Sequence, residues 1–168
     1  MMFSRINKEN RKLIVVLSVL ILVIGFGYAW LTLKRNPHQA SQLESMQVAW
    51  GKSFGKVNKY NSQSGDYQFV DSRDSLFKVN FKLRKSEVIY LNAKLFELGF
   101  WDLPEMMGSN KKAVDQDYFY LEVKYKDKLK KLEIYSDYES KGLELDSALK
   151  IKAAVKGLLE ASLERYVP

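Results

Sequence analysis

The chain has 168 residues, with 27 Lys and Arg against 20 Asp and Glu, 46% apolar residues and no cysteine. That length supports one ordinary domain beside any membrane segment, and the apolar content is too high for a disordered chain. Without cysteine there are no disulfides, thiol nucleophiles, cysteine-held metals or cysteine lipidation, and the lone histidine, His38, stands in a linker, away from any triad or zinc cluster. The expectation is a protein with no cofactor and no bound metal.

The net charge of +7 is unevenly placed. Residues 1–35 hold six basic side chains against one acid, Glu9, so most of the excess flanks the N-terminal apolar run. A nucleic-acid footprint needs a basic face on the domain itself, and no nucleic-acid partner is expected.

Leu13 to Leu33 is a stretch of 21 residues without a charge. As a helix at about 1.5 Å per residue it spans roughly 30 Å, the hydrocarbon thickness of a bilayer. Ser18 and Thr32 can bond back to their own helix, and Tyr28 and Trp30 suit an interfacial belt. Four basic residues precede the run, and Lys34 and Arg35 follow it. The bias predicts a single-pass signal-anchor with residues 1–12 as a cytoplasmic tail, 13–33 as the transmembrane helix and the rest outside the cytosol. A cleaved signal peptide with Gly27 and Ala29 at the cut is the alternative, disfavoured because the apolar run continues through Leu33.

Residues 34–44 read as a linker, and residues 45–168 as one extracytoplasmic α+β domain. Met46, Val48 and Trp50 alternate as a first strand. Lys56 to Tyr60 and Tyr67 to Val70 flank the turn-rich Asn61 to Asp66 and predict a hairpin, and Asp71 caps the next turn. Phe77, Val79, Phe81 and Leu83 predict a strand with one buried face, and Ser86 an N-cap with Glu87 in the first turn. Val88, Leu91, Leu95 and Leu98 mark a helix stopped by Gly99, after which Phe100, Trp101 and Leu103 close the core.

Glu105 to Gln116 reads as a loop. Phe119 to Tyr125 and Leu132 to Ile134 alternate as a second hairpin turning at Lys126 to Lys128. Ala148, Ile151, Val155, Leu158 and Leu159 stripe a final helix. The fold class is α+β: a transmembrane helix, then a mainly antiparallel sheet covered on one face by two helices.

Chemistry-bearing constellations are sparse. Asp102, Asp115 and Asp117 are the only candidates for a carboxylate hydrolase, Asp102 because burial in its apolar cluster would raise its pKa. No catalytic motif appears, and the chain is not read as an enzyme. The suggestive surface is the second hairpin, where Lys124, Lys126, Lys128, Lys130 and Lys131 gather near outward-facing Tyr120 and Tyr135. The predicted function is a membrane-anchored, non-catalytic binding or assembly domain of the cell envelope. Its expected partners are the lipid bilayer, through residues 13–33, and an envelope protein. An accessory subunit that associates through its transmembrane helix, and a carboxylate-dependent hydrolase, are the alternatives.

Overall fold

Alternating apolar and polar residues build most of this protein. The computed structural model describes residues 8–35, 39–52, 57–109, 116–139 and 142–166, and in the first stretch only the side chains of Lys12 and of Ile14 to Tyr28. The chain forms two units, Met1–Pro37 and His38–Pro168.

The first unit contains α1, a helix over Lys8–Arg35. Its apolar side chains between Ile14 and Tyr28 are exposed, and Ser18 Oγ donates back to the Ile14 carbonyl at 2.8 Å. Among the described residues no helix is long and apolar enough to cross a membrane. The described side chains of α1 stop short of the ~20 apolar residues that a bilayer takes up. Those at both ends of the expected 13–33 span, with Lys34 and Arg35, lie outside the described residues, as does His38.

The second unit is α+β. After a 3-10 turn at Ala40–Gln42 come strands β1 (Leu43–Lys52), β2 (Val57–Asn61), β3 (Asp66–Val70) and β4 (Leu76–Asn80), then helix α2 (Lys85–Glu97). Strands β5 (Met106–Met107), β6 (Asp117–Tyr125) and β7 (Leu129–Tyr135) and helix α3 (Leu143–Leu163) follow. They form one sheet in the order β4-β3-β2-β1-β6-β7-β5, antiparallel throughout except for β5 against β7.

Register fixes which face each residue joins, because opposed residues share a face. One cross-strand row runs Val79, Tyr67, Tyr60, Val48, Leu121, Leu132. A second joins Trp50, Phe119, Ile134 and Met107. Onto these rows pack Leu91 and Leu95 of α2 and Ala148, Ile151, Val155 and Leu159 of α3, all buried. Each such large side chain contributes about 1.5–3 kcal/mol by leaving water.

The turns follow their residue types. Asp71 Oδ1 accepts from the backbone N–H groups of Arg73 and Ser75 at 2.9 and 2.7 Å, as its turn-capping chemistry predicts. Gly99 stops α2 with φ +70°. Its N–H donates to the Phe96 carbonyl and that of Phe100 to the Leu95 carbonyl, which satisfies the last turn and folds buried Phe100 and Leu103 back beneath the helix.

Four expectations need correction. Strand β1 starts at Leu43, inside the expected linker, with a bulge between Leu43 and Ser45. Strand β4 ends at Asn80 rather than continuing through Leu83, because its neighbour has run out: Asp66, the first residue of β3, lies opposite Asn80, and Phe81 N–H donates to Gly65 at the turn before it. The N-cap of α2 is Arg84, not Ser86, since Glu87 Oε2 reaches back to accept the Arg84 N–H at 2.7 Å. Finally, Met106 and Met107 of the expected loop pair with the outer edge of β7, whose polar backbone would otherwise lack partners.

Candidate functional site

The β6–β7 hairpin gathers the lysines in sequence, and the pleat then separates them. Lys124 points away from the helices and pairs with Glu44 at 2.7 Å. Lys131 lies opposite Glu122 and pairs with it at 3.4 Å. Lys130 lies opposite Val123, on the helix-covered side, and donates to the Leu103 carbonyl at 2.6 Å. Lys128 Nζ sits 4.6 Å from the centre of the Trp101 ring. Lys126 is exposed in the turn. Four of these five cations therefore have intramolecular partners, and those partners lie on two faces.

The two tyrosines are also committed. Tyr120 and Tyr135 donate to Glu122 and Glu133 respectively, each at 2.7 Å. Burial, and then those carboxylates, raise both phenol pKa values, that of Tyr135 to about 12. Tyr135 lies on the same outward face as Tyr120 and Glu133 but is only 8% exposed there.

The carboxylates do not converge either. Asp102 is exposed in the turn after α2, not buried in its apolar cluster as expected. Asp117 is exposed at the start of β6, whereas Trp101 packs on Tyr125 at that strand's other end. A nine-residue strand separates those positions by roughly 25 Å. Asp115 lies outside the described residues.

A different surface has the geometry of a site. The sheet face opposite the helices is concave over β1 to β4, with a cavity of about 450 Å³, inside the range of ligand pockets. Register lays Lys78, Gln68, Lys59, Ala49 and Tyr120 along one cross-strand row, and Asn80, Asp66, Asn61 and Gln47 along the next. All but Asn80 line the cavity. Ala49 forms a low floor between longer neighbours. Gln68 Nε2 donates to the Val57 carbonyl, and Asn61 Oδ1 accepts from Gln63 N–H, each at 2.9 Å. These bonds leave Gln68 Oε1 as an acceptor and Asn61 Nδ2 as a donor. Asp66 Oδ1 accepts from Asn80 Nδ2 at 2.9 Å. Hydrogen bonds from the Ser64 and Asn80 side chains hold that carboxyl below its ordinary pKa. Lys59 and Lys78 are exposed and, among the described residues, neither has an ion-pair partner.

Sequence reasoning passed over this surface because its residues are the polar half of each alternation, scattered over four strands. Only the pairing register brings them together. A search for wet-face residues that share a register row would find them. Compared with known proteins, the chain matches no protein-family model and no curated protein.

Proposed function

We propose that this chain is a membrane-anchored, non-catalytic binding protein of the cell envelope. In this reading α1 is the anchor, and the α+β domain presents its concave sheet face outside the cytosol. The observation that carries the reading is α1 itself. Its helix is continuous from Lys8 to Arg35, its sequence has no charge between Leu13 and Leu33, and its described apolar side chains are exposed. A helix apolar on all sides needs an apolar environment, because each Å² left in water costs about 25 cal/mol. The heavier basic charge before the apolar run supports a cytoplasmic N-terminus.

The binding role draws on the helix-free sheet face and its cavity. Alkaline carbonate extraction of membranes from expressing cells tests the anchor. The full-length chain should stay in the pellet, and a chain lacking residues 1–35 should not. A reporter enzyme active only outside the cytosol, fused after Pro168, should be active. Full extraction by carbonate would remove the anchor, and a silent but well-expressed reporter would reverse the orientation.

A further inference from the structure

The cavity on the open sheet face has a chemistry that selects among ligands. Its cations, Lys59 on β2 and Lys78 on β4, stand in one register row with Gln68 between them. Two strand spacings separate their backbones by roughly 10 Å. Between and beside them are the planar amides of Gln47, Asn61 and Gln68, and the ring of Tyr120 forms one wall. The Tyr120–Glu122 hydrogen bond fixes that ring in place.

We propose that this cavity binds an anionic saccharide, a chain of sugar rings bearing carboxylates. The proposal rests on the reading of the domain as a binding module and names its ligand class. Lys59 and Lys78 take the acid groups, the three amides take hydroxyls, and Tyr120 packs against the apolar face of a ring. The backbone N–H and C=O groups in the middle of the sheet are already used in its ladders, so the face offers side chains alone. An extended acidic peptide gains its affinity by adding to an edge strand, whereas only Lys78 and Val79 of this site stand on the edge strand β4 and its other lining residues lie on interior strands. A saccharide distributes hydroxyls and charges along its length and is read by side chains. Ala49 leaves the floor open for it, and Asp66, the only carboxylate among the lining residues, is engaged by Asn80.

The test is calorimetric titration of the full-length chain, in a neutral detergent, with a galacturonate oligosaccharide. A neutral malto-oligosaccharide and an oligoglutamate of equal charge serve as comparators. The galacturonate should bind and the neutral sugar should not. Lys59→Gln and Lys78→Gln should each weaken binding about tenfold, the effect of one charge-assisted hydrogen bond. Ala49→Trp should abolish binding by filling the floor. The lysines are exposed, so their variants should melt like the parent even if Ala49→Trp does not fold.

Absence of galacturonate binding would overturn the proposal, as would binding that survives both lysine substitutions. Equal or tighter binding of oligoglutamate would replace the saccharide with an acidic peptide. Each of these results leaves carbonate extraction unaffected, so failure of the ligand class is separable from failure of the anchor.

Discussion

Tyr60 and Phe81 stack at 5.3 Å between ring centres inside the domain, yet their substitution should have opposite effects. Phe81 is 2% exposed and also stacks on Tyr166 at 5.4 Å. Phe81→Ala should cost about 3–5 kcal/mol in a denaturant melt, through lost burial and the cavity left behind. Among the described residues the Tyr60 hydroxyl is buried without a hydrogen-bond partner, with the Leu83 backbone the polar group nearest to serving it. Burial raises that phenol pKa to about 12. An orphan hydroxyl costs about 1–3 kcal/mol, so Tyr60→Phe should be neutral or stabilising in the same melt.

Glu87 carries the pH dependence at this scale. Burial disfavours its charge, but the Arg84 backbone N–H, Arg165 and Ser162 outweigh burial and lower its pKa below 4.5. A depressed folded-state pKa gives stability that is present above 4.5 and lost as pH falls through the folded value. Melts between pH 7 and pH 3 should therefore show a fall that Glu87→Gln flattens, with a loss of about 1–3 kcal/mol at pH 7.

Among the elements, the β6–β7 hairpin shows how partners decide the worth of a charge. Lys126→Glu should leave the melt unchanged. Lys128→Glu removes the cation from Trp101 and should cost about 0.5–1 kcal/mol. Because Lys124, Lys128, Lys130 and Lys131 already have partners, the protein should show no salt-sensitive attraction to anionic vesicles through this hairpin, as measured by sedimentation. Alternation made these strands legible in the sequence, along with the Gly99 stop and the α3 stripe. The strand β5 was not legible, because two methionines have no period and pair only when β7 offers an edge. The cap of α2 was misplaced because side-chain chemistry favoured Ser86, while the reach of Glu87 to the Arg84 N–H set the boundary. The lysines were read as one patch because sequence proximity does not reveal that Lys130 and Lys131 point to opposite faces. The cavity was illegible for the complementary reason: its residues are distant in sequence and adjacent only in register.

For the molecule as a whole, the decisive arrangement is β1 at the centre of the sheet, between β2 and β6. The meander from β1 to β4 is local, but the other side of β1 is closed by β6, and its apolar face by α3. A chain ending at Gly99 should therefore fail to fold its domain, giving a flat near-ultraviolet dichroism spectrum and rapid proteolysis. Val48 lies opposite Leu121, and pairings so remote in sequence are slow to form. The order in which the protein is made thus matters. While a ribosome extends the chain, Met46, Val48 and Trp50 emerge early and remain uncovered until β6 and then α3 have been translated. Throughout that interval β1 is the segment a chaperone would grip, and any pause in translation between the two halves prolongs its exposure.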